Sequence, residues 1–411
     1  MKTITSIPRK INKGFTILRR DGFFVLTVLT LEKIRRVQGF RHKVNSLAKI
    51  DDLLIADWSV DKSNLFSPGP VSKKSYTINW IMSPPGKGSG GHQNLFRFIR
   101  FTEQAGHKSN IYLYTTIDKR TLDEIKAVLD DSYPKVSAEI YWLDDGMEDA
   151  DCIFATGWET AYPAFNSRLK AQRFYFVQDF EPYFNAVGSE YILAENTYRF
   201  GFFGITAGGW LAKKLRYEYS MQTDHFDFGV DKSLYVCKNK SPRKEVFFYA
   251  RPVTARRGFE LGIMALEQFH KKHPDYKINL AGWDVSDYDI PFPYENLMTM
   301  PLKDLSAVYN RCSVALVMSL TNMSLMPLEL LACGTIPVVN DAPNNRLVSN
   351  NPYIKFSPNN PSALANSMSK VVTKKNLPEY ALKASESVAK STWDESGKKF
   401  VQILERKLRN G

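Results

Sequence analysis

Long apolar runs are missing from this sequence. A membrane-spanning helix needs roughly 20 consecutive apolar residues, whereas the best candidate, residues 23–31, is far shorter and contains two threonines. The basic stretch before this run is too long for a secretory signal, and no small-residue cleavage site follows it. We therefore expect neither a transmembrane helix nor secretion, and we predict a cytoplasmic protein.

Cysteine is also scarce, with four residues in a chain of 411. These cysteines lie far apart, and no two of them have the spacing of a metal site or a redox motif. This scarcity argues against a disulfide framework and is typical of a reducing compartment.

Acids are rare in residues 1–50, which hold twelve lysines and arginines against two acidic residues. This segment accounts for most of the net charge of +12, and apolar side chains are interleaved with its basic ones. A basic amphipathic segment can lie on an anionic membrane, where each nearby cation contributes about 1 kcal/mol. The alternative is a helical extension that packs on the protein with its basic face in water. A nucleic-acid partner is not expected, because the rest of the chain lacks a second basic, aromatic surface.

From residue 76 onward, β-like runs alternate with helix-like runs, which predicts an α/β fold of parallel sheets covered by helices. In the first half the β-like runs are TINWIMS, IYLYTT, AEIYWL, CIFATG, RFYFVQD and FGITAG. In the second half they are EVFFYARP, KINLAGWD, LMTMP, SVALVMS, IPVVND and YIKF. Two doubly wound units of similar size leave a crevice between them, and such sheets bind ligands at the carboxyl ends of their strands.

This pattern predicts five segments along the chain. They are a basic amphipathic extension (1–75), a first Rossmann-like domain (76–225), an interdomain connection (226–245), a second Rossmann-like domain (246–390) and a C-terminal helix that packs back on the first domain (391–411).

The strongest local signal is SLTNMSLMPLELLACGTIPVVND, residues 319–341. A polar loop after a β-like run opens directly into a helix, whose free N–H groups would come from about Ser324, Leu325 and Met326. Such a helix start suits a diphosphate. Glu329 lies on the first turn, where it could bind a ribose hydroxyl or be an ordinary first-turn acid.

A second signal is FFYARPVTARRG, residues 247–258, in which Arg251 ends a strand and Arg257-Gly258 opens the next helix. Guanidinium groups bind phosphate oxygens through charge-assisted hydrogen bonds of about 1.5–3 kcal/mol each. The sequence therefore favours a diphosphate at Arg251 and Arg257, with solvated surface arginines as the alternative.

Two further segments lie in the first half of the chain. In IMSPPGKGSGGHQNLFRF, Gly90 and Gly91 let the backbone approach a ligand closely, and His92 at the helix start could donate to a sugar hydroxyl or a leaving phosphate. In YFVQDFEPYF, Asp179 and Glu181 follow a strand among aromatic residues, a combination that suits a saccharide. The alternatives are a local hydrogen bond at His92 and a purely structural turn at residues 179–181.

Residues 319–341 resemble the donor-site signature of GT-B glycosyltransferases, particularly of family 4 and its relatives among bacterial rhamnosyltransferases. That signature has two glutamates eight positions apart, and Glu329 with the following LLACG matches the second. The first glutamate would fall at position 321, where this sequence has Thr321. Arg251 matches the arginine of the family's G-R-x-x-x-x-K-G pattern, and Arg257 takes the place of its lysine. The resemblance covers the last 170 residues well, the glycine loop moderately and residues 1–75 hardly at all.

The resemblance implies two Rossmann-like domains that face each other across a cleft. The second domain would bind a nucleotide-sugar donor without any metal or other cofactor, and the first would face a saccharide acceptor. Lys303 would then lie near the phosphates, and Gly90 and Gly91 would face them from the other side of the cleft. Family 4 enzymes retain the anomeric configuration; if this chain inverts it, Asp179 or His92 is the first base to test.

Within this family, the resemblance to rhamnosyltransferases of surface polysaccharides and S-layer glycans favours dTDP-rhamnose as donor. The loss of a glutamate at Thr321 is consistent with a 6-deoxy sugar, which has fewer hydroxyl groups. A lipid-linked glycan acceptor would explain the basic residues 1–50 as a peripheral contact with the inner face of the cytoplasmic membrane. A UDP- or GDP-sugar donor, a nucleotide-sugar epimerase, a phosphorylase and a dinucleotide-dependent oxidoreductase stay open as alternatives.

Overall fold

Two parallel β-sheets make up the centre of the computed structural model, which describes residues 44–60, 69–323 and 325–410. Residues 47–411 form one compact unit. Most of the predicted basic extension, residues 1–43, lies outside the described residues, so its helical character stays a prediction. Among the helices of the described ranges, none combines the length and apolar character that crossing a bilayer requires.

The first sheet has seven strands in the order β3-β2-β1-β4-β5-β6-β7, with every neighbouring pair parallel. Its strands are β1 Thr77–Met82, β2 Lys108–Leu113, β3 Glu139–Trp142, β4 Cys152–Ala155, β5 Gln172–Val177, β6 Phe203–Ala207 and β7 Thr223–Phe226. Its helices are α1 Ile50–Ile55, α2 Gly90–Gln104, α3 Leu122–Ser132, α4 Trp158–Asn166, α5 Ser189–Asn196 and α6 Gly209–Tyr219.

The second sheet has six strands in the order β10-β9-β8-β11-β12-β13, again all parallel. Its strands are β8 Glu245–Tyr249, β9 Lys277–Ala281, β10 Glu295–Asn296, β11 Cys312–Val317, β12 Ile336–Asn340 and β13 Lys355–Ser357. The helices that follow in the chain are α7 Phe259–Lys272, α8 Leu302–Arg311, α9 Met326–Ala332, α10 Pro343–Arg346, α11 Pro361–Val372, α12 Leu377–Glu386 and α13 Trp393–Asn410.

The strands form because both faces of each sheet are buried under helices, which favours continuous apolar runs over alternating ones. In β1, Ile78 and Trp80 belong to one hydrophobic cluster. Ile81 of the same strand belongs to the cluster on the opposite face of the sheet. The predicted α/β class with two Rossmann-like domains is confirmed.

Two strand predictions differ from the structure. The run LMTMP, residues 297–301, is not a strand; the short β10 precedes it at Glu295–Asn296. Met298 adopts a left-handed backbone with φ of 51°, which a β-strand cannot accommodate. Strand β7 was not predicted, because its sequence TDHF is polar and lies at the sheet edge.

The chain passes between the two sheets at two places that lie side by side. Val230 pairs with Thr392 in a parallel bridge, and the Val230 N–H donates to the Ser391 carbonyl at 3.0 Å. After this second crossing, α13 packs against α2 and β7 of the first sheet. Phe400 of α13 is fully buried there, among aromatic rings of the first sheet and α2.

Candidate active site

The loop between β8 and α7 carries three arginines, Arg251, Arg256 and Arg257, which we call the arginine cluster. Arg251 Nη1 donates to the Tyr249 hydroxyl at 3.1 Å, and Arg257 Nη1 donates to Ser319 Oγ at 3.3 Å. The Nε groups of Arg251 and Arg256 are buried, and the described residues offer neither a hydrogen-bond partner. Buried donors without partners are rare in proteins, so these two groups are available to a ligand with acceptor atoms.

Burial lowers the pKa of Arg257, and the positive charges of Arg256 and Arg251 lower it further. The negative charge of Asp179 opposes this effect. Arg256 Nε lies 3.7 Å from Asp179 Oδ2, and the Arg256 guanidinium stacks over the Phe184 ring at 4.3 Å. Arg256 and Arg257 thus act on one carboxylate, and Arg251 lies near enough to repel Arg257. This excess of positive charge suits an anion with several oxygens.

Asp179 lies just beyond the carboxyl end of β5 and reaches the second sheet. Its Oδ2 accepts from the Thr321 hydroxyl at 2.8 Å, and its Oδ1 accepts from the Asn322 N–H at 2.9 Å. Burial raises the pKa of Asp179, while the Thr321 hydrogen bond and the charges of Arg256 and Arg257 partly counteract that rise. The position where the resemblance expects a glutamate therefore holds a threonine that binds a carboxylate from the other sheet.

Asn322 strengthens this connection between the sheets. Its side-chain amide donates to the backbone carbonyls of Gln178 and Ala207, each at 3.0 Å. Asn322 and Arg256 were not singled out from the sequence. Arg256 could have been predicted from its place beside Arg257 in the motif. No feature of the sequence indicated that Asn322 connects the two sheets.

The glycine loop reaches the same edge of the first sheet. Gly90 and Gly91 are the first two residues of α2, and the Gln178 side-chain amide donates to the Gly91 carbonyl at 3.1 Å. This hydrogen bond connects Gly91 to Gln178, the residue that precedes Asp179 in the chain. Whether Gly90 and Gly91 face a donor phosphate stays a prediction.

His92 is engaged within the glycine loop. Its Nε2 lies 3.0 Å from the Ser83 carbonyl, and its Nδ1 lies 2.9 Å from Ser89 Oγ. Because a carbonyl can only accept, Nε2 carries the proton and Nδ1 accepts from the serine. Burial lowers the pKa of His92, which keeps the ring neutral. His92 would have to leave a partner to act as a base, and its catalytic role stays a prediction.

Glu181 lies below the surface, with 6% of its area exposed. Its Oε2 accepts from the Trp158 N–H at 2.5 Å, at the start of α4, and from the Tyr175 hydroxyl at 3.2 Å. Burial and the neighbouring Glu159 raise its pKa well above the usual carboxyl range. The predicted sugar contact of Glu181 is disfavoured by this burial, because its carboxylate faces the protein.

Helix α9 follows the loop that binds Asp179. Leu325 precedes the helix, Met326 is its first residue and Pro327 its second. Proline has no N–H, so Pro327 adds no donor to the predicted Ser324, Leu325 and Met326, whose contact with a diphosphate stays a prediction. Leu325 and Met326 are half-buried, and Ser324 lies outside the described residues. Lys303 is exposed on the first turn of α8, and its phosphate contact also stays a prediction.

Glu329 lies on the first turn of α9 and is half-buried. Burial raises its pKa to about 7, Arg97 of α2 counteracts the rise, and Asp231 adds to it. The Arg97 guanidinium stacks over the Trp393 ring at 4.0 Å. A residue of the first domain thus modulates the charge of the glutamate that the sequence assigns to the ribose.

The raised pKa predicts that Glu329→Gln changes the pH dependence of stability. The unfolded carboxyl loses its proton near 4.5 and the folded one near 7. Between these values the folded state binds more protons, so stability falls as pH rises. We expect Glu329→Gln to be more stable than the wild type at pH 8, by about 1–3 kcal/mol, and to lose that advantage at pH 4. Thermal unfolding at both pH values measures this.

The control is Glu260→Gln, which alters an exposed glutamate on the first turn of α7. This variant should keep the wild-type pH dependence. If Glu329→Gln also keeps it, the carboxyl of Glu329 has an ordinary pKa and the explanation fails.

Comparison with known proteins gives two family matches. Residues 144–207 match the N-terminal domain of the WsaF family, and residues 244–369 match the WsaF C-terminal domain. The O-antigen biosynthesis protein RfbC of Myxococcus xanthus is 31% identical over 332 residues, which cover 77% of this chain and 26% of that protein. The chain thus spans about a quarter of the length of this curated relative.

Several solved structures share the two-sheet arrangement. TarM has a TM-score of 0.63 and 11% identity, with 82% of this chain and 99% of TarM covered. Anabaena Alr3699/HepE in complex with UDP and glucose has a TM-score of 0.62 and 15% identity, with 81% of this chain and 99% of that chain covered. A glycosyltransferase from Rickettsia africae has a TM-score of 0.57 and 13% identity, with coverage of 82% and 100%. These identities are low, so the likeness concerns the fold.

Proposed function

On the premise that this chain belongs to the GT-B glycosyltransferases, we propose that it transfers a sugar from a nucleotide donor to a growing surface glycan. The observation that carries the proposal is the arginine cluster at the carboxyl end of β8, which meets Asp179 at the carboxyl end of β5. A diphosphate in this position would accept from the buried Nε of Arg251, which has no hydrogen-bond partner among the described residues, and would compete with Asp179 for Arg256.

The proposed step breaks the bond between the anomeric carbon of the sugar and the diphosphate oxygen. The electron pair goes to the departing diphosphate, whose new charge the arginine cluster stabilises from fixed positions. The acceptor hydroxyl oxygen forms the new bond to the anomeric carbon. We propose that this transfer requires no metal ion, because the guanidinium groups supply the positive charge.

The fate of the acceptor proton depends on the stereochemical course. In the retaining course, which the sequence resemblance favours, the departing diphosphate accepts the proton. In an inverting course Asp179 accepts it, since its raised pKa makes it a better base than an ordinary aspartate. In both courses Asp179 would lie beside the reacting sugar, between the arginine cluster and the loop at Thr321.

For the donor we propose dTDP-rhamnose, supported by the resemblance of residues 319–341 to rhamnosyltransferases. The name of the Myxococcus xanthus relative refers to O-antigen biosynthesis, which supports a surface-glycan acceptor. We further propose that the acceptor is linked to lipid and that the basic residues 1–50 bind the anionic inner face of the membrane. Deletion of residues 1–50 should abolish co-sedimentation with anionic liposomes, and unchanged binding would rule this out.

A nucleotide panel tests the donor site. Thermal unfolding of the full chain would be measured with dTDP, UDP, GDP and NAD, each with and without magnesium. A ligand at 100 times its Kd adds about 2.7 kcal/mol, which raises the Tm by a few degrees for a protein of this size. We expect dTDP to stabilise the chain most, equally with and without magnesium.

Other results of the panel change the proposal in defined ways. A preference for UDP or GDP would keep the enzyme class and discard dTDP-rhamnose. Stabilisation that needs magnesium would overturn the metal-independent mechanism. A response to NAD alone would overturn the transferase function, and turnover of the donor without any acceptor would indicate an epimerase.

A further inference from the structure

A pocket lies in the first domain, at the carboxyl ends of β2 and β3. Its volume is about 360 Å³, and it is open to solvent. Its walls include Leu113, Thr115 and Trp142 together with charged groups from three loops. In parallel α/β sheets this edge is where ligands bind. None of the residues assigned to the donor lies in this pocket.

The charged groups of this β2–β3 pocket are held in pairs. Arg120 Nε donates to both carboxylate oxygens of Asp118 at 3.0 Å, and this contact lowers the pKa of Asp118. On the opposite wall, Lys49 forms an ion pair with Asp144. The charges of these fixed donors and acceptors nearly cancel. Such a set of groups suits a ligand with many hydroxyl groups and little charge.

Trp142 gives the pocket an aromatic wall. It is the last residue of β3, which forms the outer edge of the first sheet, and it is half-buried. Indole rings pack against the apolar faces of sugar rings, while polar groups around them bind the hydroxyls. Lys119, which is exposed at the mouth, adds a further donor.

The pocket connects to the candidate active site through the glycine loop. Arg120 Nη1 donates to the Pro85 carbonyl at 3.0 Å, on one side of that loop. On the other side, the Gly91 carbonyl accepts from Gln178, the neighbour of Asp179. The pocket and Asp179 therefore lie on the same sheet edge, separated by residues 83–91.

We propose that the β2–β3 pocket binds a sugar unit of the acceptor glycan that is remote from the reacting hydroxyl. This inference rests on the proposed transferase function, which requires a saccharide on this side of the cleft. The acceptor would run from Asp179 past the glycine loop and rest a later sugar ring on Trp142. The enzyme would then prefer acceptors of more than one sugar unit.

The test uses the full chain and oligosaccharides of rhamnose, mannose and glucose with one to four units. Affinity would be measured by isothermal titration in the presence of dTDP, for the wild type, Trp142→Phe and Lys119→Ala. For the sugar that binds, we expect affinity to rise with length. We expect each variant to weaken binding of the longer oligosaccharides about 3–10-fold, without changing monosaccharide binding. Lys126→Ala, an exposed lysine on α3 outside the pocket, is the matched control.

Three outcomes would overturn the inference: affinity independent of length, equal effects of Lys119→Ala and Lys126→Ala, or no oligosaccharide binding while dTDP still binds. The donor site is tested separately by the same samples. If dTDP does not bind but the longer oligosaccharides still bind through Trp142, the pocket stands and the proposed donor function fails.

Discussion

Arg251→Ala and Arg257→Ala are each expected to weaken dTDP binding about 10–150-fold. Each change removes one charge-assisted hydrogen bond to the diphosphate, worth about 1.5–3 kcal/mol. The loss of affinity should not be accompanied by a loss of stability of the ligand-free protein. Without a bound anion, the positive charges of the arginine cluster repel one another. Isothermal titration with dTDP in the absence of magnesium gives the affinity, and thermal unfolding without ligand gives the stability.

The matched control is Arg311→Ala, which removes an arginine of the same domain that pairs with Glu245 at its surface. Its dTDP affinity should equal that of the wild type. If Arg251→Ala and Arg257→Ala also bind dTDP like the wild type, the arginine cluster does not hold the diphosphate and the donor site lies elsewhere.

If the course inverts, Asp179→Asn is expected to reduce sugar transfer about 10²–10⁴-fold, the usual contribution of a positioned proton acceptor. In the retaining course, where the departing diphosphate accepts the proton, transfer should fall by less than this. Nucleotide binding should become tighter, because the change removes the negative charge that competes for the arginine cluster. The asparagine fits the same contacts: its carbonyl oxygen can accept from the Asn322 N–H, and its amide can donate to Thr321. Opposite effects on transfer and on binding would separate a catalytic loss from misfolding.

The pH dependence gives a second readout for Asp179. Because burial raises its pKa, the wild-type transfer rate should fall on acidification at a higher pH than for an ordinary aspartate. Asp179→Asn should lack this decline. Asp341→Asn, at the exposed end of β12, serves as control. Full transfer activity in Asp179→Asn would mean that Asp179 only connects the two sheets.

The sequence predicted the sheets because strands buried on both faces read as continuous apolar runs, as in FFY of β8 and ALV of β11. It also indicated Arg251 and Arg257, since a loop between strand and helix limits where their side chains can lie. The contact of Asp179 with Thr321 joins residues 142 positions apart. No local pattern encodes such a contact, because it depends on how two separate sheets meet.

Burial was the other property that local sequence did not reveal. Glu181 reads as a surface acid, yet the N–H at the start of α4 and the Tyr175 hydroxyl satisfy it inside the protein. For His92 the sequence left open either a reactive histidine or a local hydrogen bond, and the structure shows local hydrogen bonds with Ser83 and Ser89. In both residues one partner is a backbone group, the Trp158 N–H or the Ser83 carbonyl, whose position residue type and spacing do not specify.

The placement of α13 also has a consequence for synthesis on the ribosome. Phe400 fills the centre of an aromatic cluster that includes Trp80, Phe98 and Phe176, which are translated some 220 residues or more before it. A nascent chain that ends before Trp393 would leave those rings exposed to water and to chaperones. The first domain to be made is therefore the last to complete its core.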